Sequence, residues 1–329
     1  MHDTTRRTFI AGGTAAVLAA AGTTRRARAQ TMPLRLNIFG GIDAWPIYVL
    51  REKGLLTGYE LTVTPTTGSV PQFQHMMAGD ADIALTAMDN IIAYDAGQGD
   101  PAVAGPFDFF AFLGIGPGSL RLVVRPEIAS YDQLRGKTFA VDAVGTGFTF
   151  VLRRILEKNG IMPGEYSLVA LGSTQKRFDG MVAGTAVGGV VGAPFDAIGA
   201  QKYGFKTLAV AIDVLGHYQA TAMMARRSWA VNNKPAMLAF VKAYRAATAW
   251  LLDPANRSEA VAILAKSADL PNDLIAQIAP AFLTPQMYSR TGAFDMQGVK
   301  TTLELRSAYV KPAQPFGDPS TYVDTSYLR

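Results

Sequence analysis

Leu61–Asn90 reads LTVTPTTGSVPQFQHMMAGDADIALTAMDN, and Tyr166–Phe195 reads YSLVALGSTQKRFDGMVAGTAVGGVVGAPF. Laid over each other at an offset of 105, Thr67, Gly68, Ser69 and Phe73 fall on Gly172, Ser173, Thr174 and Phe178. Met76, Ala78, Gly79 and Ala81 then meet Met181, Ala183, Gly184 and Ala186. Each segment carries a β-rich run, a turn of small residues, an amphipathic stretch closed by glycine, and a second apolar run. Self-similarity of this kind points to two copies of one supersecondary unit. Chance agreement of small residues in a chain rich in Ala and Gly is the alternative.

Working outward, each copy extends to strand, helix, strand, helix, strand. Leu34–Phe39 is strand-like, Trp45–Lys53 is helical and ends at Gly54, and Glu60–Thr64 is β-rich. Val70–Met77 is a helix ended by Gly79, and Ile83–Thr86 is a buried strand. The second copy repeats this as Thr138–Asp142, Phe148–Lys158 closed by Gly160, Ser167–Leu171, Gln175–Val182 and Val187–Val191. Alternation at these lengths predicts parallel βαβ units with right-handed crossovers, hence an α/β protein of two βαβ-based lobes. Ser119–Pro126 and Ala220–Arg227 are extended segments placed to form a two-stranded hinge between the lobes. The expected division is residues 30–120 for the first part of lobe 1, 121–222 for lobe 2, and 223–329 for a helical return to lobe 1. That return ends in an irregular C-terminal strap around Pro312, Pro315 and Pro319.

The first 29 residues read as a cleavable export signal. Arg6 and Arg7 precede an apolar stretch from Phe9 to Gly22, and small residues stand at Ala27 and Ala29, near which cleavage is expected. The apolar stretch is about 14 residues, short of the roughly 20 that span a bilayer. Thr5-Arg6-Arg7-Thr8-Phe9-Ile10 is similar to the twin-arginine signature, and Arg25, Arg26 and Arg28 before the cut disfavour the general secretory route. This segment holds five of the 31 basic residues and one of the 26 acidic ones, so the mature chain has a net charge of +1. The basic footprint of a nucleic-acid-binding protein is therefore absent. With no cysteine in the sequence there are no disulfides, thiolate nucleophiles or lipid-attachment site, which favours a free, soluble periplasmic monomer.

Further motifs resemble a known family. Gly40-Gly41 and Trp45-Pro46-Ile47-Tyr48 lead to Glu52-Lys53-Gly54, and Met77-Ala78-Gly79-Asp80-Ala81-Asp82-Ile83-Ala84 follows. Tyr131-Asp132-Gln133-Leu134-Arg135-Gly136-Lys137 precedes Phe139-Ala140-Val141. In this order they resemble the periplasmic binding proteins of nitrate, sulfonate, taurine and thiamine-precursor importers, the SsuA/TauA-like group with the type II periplasmic-binding-protein fold. The resemblance implies a solute-binding component of an ABC importer, partnered by a permease with its ATPase, with no cofactor and no catalytic residue. Two rivals remain open: a pyrimidine-precursor enzyme on the same fold, and a periplasmic sensor subunit.

In an open parallel sheet, ligands bind outside the carboxyl ends of the strands. That rule nominates Gly41, Asp43 and Trp45, Thr67 and Ser69, and Met88, Asp89 and Asn90 from the first copy. From the second it nominates Asp142, Thr146 and Phe148, Ser173 and Thr174, and Pro194 and Asp196. His217 is a further candidate at the cleft border. Helix N-termini in these loops attract an anionic group, although Ser69, Asp89 and Thr174 are also ordinary N-caps. Trp45 and Phe148, at equivalent first helices, are placed to sandwich an apolar ligand portion. Asp43, Asp89, Asp142 and Asp196 stand at strand ends with no Arg or Lys in those loops, which favours amine-bearing or heteroaromatic solutes over simple sulfonates or carboxylates. His75 and His217, the only histidines after the signal, have no metal-ligand spacing.

Overall fold

The computed structural model describes residues 31–268, 270–312 and 315–329. The export-signal reading of residues 1–29 lies outside them. Lobe 1 begins with β1 (Met32–Ile38), α1 (Trp45–Glu52), β2 (Tyr59–Pro65), α2 (Ser69–Ala78), β3 (Ile83–Ala87), α3 (Met88–Asp95) and β4 (Phe109–Gly116). Lobe 2 contains β5 (Arg121–Val124), β6 (Thr138–Val141), α4 (Gly147–Lys158), β7 (Ser167–Ala170), α5 (Thr174–Val182), β8 (Gly188–Val191), α6 (Phe195–Tyr203) and β9 (Lys206–Val210). α7 (Ala211–Leu215) lies on the way back to β10 (Thr221–Arg226), and α8 (Arg227–Asn232) follows.

Two five-stranded sheets result, ordered β2-β1-β3-β10-β4 and β7-β6-β8-β5-β9. β1 lies parallel to β2 and β3, with Leu34 opposite Leu61 and Leu36 opposite Ile83; β6 is likewise parallel to β7 and β8. The offset of 105 holds for both α2 with α5 and β3 with β8, so the duplicated segments occupy equivalent places. β5 and β10 each form the fourth strand of their own lobe's sheet, antiparallel to β8 and β3. The chain crosses between lobes just before each of them, at residues 117–120 and 211–220.

The local rules are visible in the strands and turns. β8 contains Gly188 and Gly189, poor strand formers, because a Cβ there would stand 2.7 Å from the Val123 carbonyl oxygen and 2.6 Å from that of Ala140. α2 stops at Gly79, whose φ of 77° ends the helix in the left-handed region.

The C-terminal return is helical: α9 (Lys234–Leu251), α10 (Arg257–Ala268), α11 (Asn272–Phe282) and α12 (Met296–Tyr309). α9 buries Met237, Phe240, Val241, Tyr244, Ala247 and Leu251, three and four residues apart, against the core that contains α1, α10 and α11. α12 belongs to both lobes. Val299 and Leu303 join the lobe 1 core around Phe73 and Met88, whereas Leu305 and Tyr309 join the lobe 2 core around Phe150. The last stretch runs beside β4, where Val323 bridges Ala111.

Candidate functional site

Between the lobes lies a cavity of about 80 Å³, several times the roughly 10–15 Å³ that one water requires. Its walls come from the carboxyl ends of β1, β3, β6 and β8, where the strand-end rule places a ligand. Lobe 1 contributes Ile42, Asp43, Thr86 and Asn90; lobe 2 contributes Asp142, Thr146, Phe148, Ser173, Thr174 and Arg177; Ser119 and Thr221 line the hinge side. Seven of the nominated residues therefore meet around one space: Asp43, Asn90, Asp142, Thr146, Phe148, Ser173 and Thr174.

The other nominated residues do not line the cavity. Gly41 and Thr67 stand where the lobes touch: a Cβ on Gly41 would be 3.6 Å from the Ala193 carbonyl oxygen, and one on Gly172 would be 3.6 Å from that of Thr67. Trp45 is completely buried, and its Nε1 donates to the Ala260 carbonyl at 2.9 Å, so the sandwich with Phe148 does not form. Ser69 and Met88 are buried in lobe 1, and cis-Pro194 occupies the N-cap position of α6. His217 is exposed and pairs through Nδ1 with Asp295 Oδ2 at 2.9 Å. The N-cap reading of Ser69, Asp89 and Thr174 does not hold, since all three lie inside the first turns of α2, α3 and α5; the side-chain cap of α5 is Ser173, whose Oγ accepts from Lys176 N at 3.4 Å.

The four strand-end aspartates divide into two pairs. Asp89 is fully buried against Arg306, whose Nε and Nη2 donate to Asp89 Oδ1 and Oδ2 at 2.7 and 2.5 Å. Asp196 stands 3.2 Å from Arg121 Nη1; burial raises its pKa while Arg121 pulls it back. An arginine distant in sequence reaches each of them, and although Asp196 Oδ1 has no hydrogen-bond partner, neither residue lines the cavity. Asp43 and Asp142 are the two that face the cavity. Burial pushes the Asp43 carboxyl up to about 6, and its Oδ1 has no partner. Asp142 is also raised by burial, against the pull of Arg177.

Arg177 corrects the expectation that no basic residue accompanies these carboxylates. It is 2% exposed and lines the cavity. Nη1 donates to the Gly172 carbonyl and Nη2 to Thr174 Oγ1, each at 2.9 Å, while Nε has no protein partner. Burial lowers its pKa and nearby Asp142 raises it. Its position three residues beyond Thr174 on α5 is the signal that locates it, since i and i+3 share a helix face. Thr221 Oγ1 is a third buried cavity atom without a partner. Buried polar groups are ordinarily hydrogen-bonded; here an acceptor, a donor and a hydroxyl on cavity-lining residues have no protein partner.

Residues 120–265 match the model of the NMT1-like family. No curated protein matches the chain at comparable strength. Among solved structures, a ligand-binding component of an ABC-type import system from Staphylococcus aureus, with zinc bound, superposes with a TM-score of 0.74 at 16% identity. That match covers 90% of this chain and 98% of the other. This is the type II periplasmic-binding-protein fold. The alkanesulfonate-binding protein SsuA from Xanthomonas axonopodis pv. citri, bound to MOPS, gives a TM-score of 0.71 at 15% identity over 89% of this chain and 98% of that one. The nitrate-binding protein NrtA from Synechocystis PCC 6803 gives 0.65 at 17%, over 76% and 70%. The motif resemblance is thus matched by a shared two-lobed architecture. No helix among the described residues is long and apolar enough to cross a membrane, and no cluster of three potential metal ligands is present among them.

Proposed function

We propose that the chain is the periplasmic solute-binding component of an ABC importer, exported by its N-terminal signal, which captures a small amine-bearing organic solute between its lobes and delivers it to a membrane permease. The observation that carries this reading is the interlobe cavity, walled by both lobes and holding unpartnered polar atoms from each. The structural likeness to ABC-type import components supports the transport role. A protonated amine or amino-heteroaromatic edge satisfies Asp43, which would otherwise be a costly buried charge. Arg177 Nε and the N-terminal N–H groups of α5 then donate to a carbonyl, ring nitrogen or carboxylate at the other end. A simple anion offers nothing to Asp43. Binding both lobes at once favours their closed arrangement, because a ligand shifts a conformational equilibrium by its differential affinity for the two states.

The protein is a receptor in this account and not an enzyme. In this reading Asp43 and Asp142, which line the cavity, hold the solute and do no chemistry on it. Thermal-shift measurement against amines, amino-heteroaromatics, alkanesulfonates and carboxylates tests the ligand class. Stabilisation by amine-bearing compounds and none by simple alkanesulfonates is expected; the reverse pattern overturns it.

A further inference from the structure

The solute-binding reading leaves one buried charged pair unused, and that pair joins the lobes. Arg306 and Asp89 are 1% and 0% exposed in their side chains. Asp89 belongs to the first turn of α3 in lobe 1 and accepts two hydrogen bonds from the guanidinium. The same Nη2 donates to the carbonyl of Gly145 in lobe 2 at 3.1 Å, and Nη1 donates to Gln98 Oε1 in lobe 1 at 3.1 Å. The guanidinium carbon stands 5.2 Å from the ring centre of Phe150, again in lobe 2. The lobes also meet directly here, since a Cβ on Gly147 would lie 2.4 Å from the Asp89 Cβ. One step away in sequence stand Asn90, Thr146 and Phe148, all in the cavity wall.

We infer that Arg306 is a positioning residue for solute binding, coupling the β3–α3 junction of lobe 1 to the loop between β6 and α4 of lobe 2 and holding them in the closed arrangement. The inference rests on the solute-receptor reading for its purpose but not for its test. α12 already packs into both cores, so its arginine sits where a single planar cation binds a carboxylate of one lobe and a carbonyl of the other. The guanidinium fork and its stacking on Phe150 are needed together. A lysine keeps the charge opposite Asp89 but cannot reproduce the bidentate pair, the Gly145 contact and the ring face at once.

The absence of cysteine makes the test direct. Glu60→Cys and Asp132→Cys, on exposed residues of lobes 1 and 2, carry spin labels whose separation is measured by pulsed electron resonance on full-length mature protein stripped of bound molecules by unfolding and refolding. Parent protein is expected to show a dominant short-distance population. In Arg306→Lys a longer-distance population is expected to become the major one, with a cooperative melt retained. Should the lysine variant fail to fold, the paired substitution Asp89→Asn with Arg306→Gln, which leaves no unpaired buried charge, decides the matter and is expected to shift the same way. An unchanged distance distribution in a folded variant overturns the coupling role. No solute enters the measurement, so a failed ligand screen leaves this result standing, and an unchanged distribution leaves the ligand screen standing.

Discussion

Gly41–Trp45 in lobe 1 and Asp142–Phe148 in lobe 2 occupy the same place in the duplicated unit, and they have different uses. Both follow the first strand of their lobe and enter its first helix. Trp45 lies under α10 with its indole nitrogen bonded to Ala260, whereas Phe148 keeps its ring at the cavity wall. The cause is the C-terminal return: α9 and α10 pack on α1 and bury it, while α4 is met by α12, the short α7 and the start of α3. The duplication therefore supplies two similar loops, and the later part of the chain buries the aromatic of one and leaves that of the other at the cavity wall.

The largest expected effect that would break this comparison is on stability. Trp45→Ala is expected to cost about 3–5 kcal/mol through lost burial and an unsatisfied carbonyl, whereas Phe148→Ala costs under about 1 kcal/mol, because its ring is only partly buried. Denaturant unfolding of the two variants checks this, and equal losses would mean that Trp45 is not structurally committed.

Next is Asp43. Its folded pKa, about 6, lies above the unfolded value near 3.8, so the folded state favours the protonated form. The associated stability is fully present below about pH 4 and is lost as pH rises through 6. Asp43→Asn removes that loss and is expected to stabilise the ligand-free protein at pH 8 by about 1–3 kcal/mol, with little change at pH 4. A destabilised asparagine variant at pH 8 would assign Asp43 a structural partner instead.

A third expectation concerns affinity. An ammonium solute requires ionised Asp43, so its association constant is expected to fall about tenfold for each pH unit below 6. Calorimetric titration from pH 4.5 to 8 measures the slope, and a flat profile removes Asp43 from the ligand contact. Smallest of all, Ser173→Ala loses a long cap bond of 3.4 Å and is expected to cost about 0.5 kcal/mol. A larger loss in solute affinity than in stability would show that its hydroxyl also meets the ligand.

How much of this was legible follows from range along the chain. The βαβ order, the duplication and the strand-end location of the site are local patterns, and residues 61–90 and 166–195 carry them. The fate of individual side chains was set by distant partners. Trp45 meets Ala260, 215 positions away, and Asp89 meets Arg306, 217 positions away, so no spacing rule within a loop reveals either pairing. Arg177 is the intermediate case: it lies outside the strand-end loop but one helical turn from Thr174, so the loop sequence alone does not contain it. Reading each loop together with the first turn of its helix would have found the cation that Asp142 faces.

The central claim is that the cavity receives an amine-bearing solute through Asp43 and releases it unchanged. Native mass spectrometry of the mature protein, purified from cells without added ligand and followed over hours, tests this most directly beside an Asp43→Asn preparation. The account predicts a retained small molecule containing nitrogen, constant in mass over time and absent from the asparagine variant. A bound compound whose mass changes with time, or a nitrogen-free anion held equally by both proteins, would contradict it.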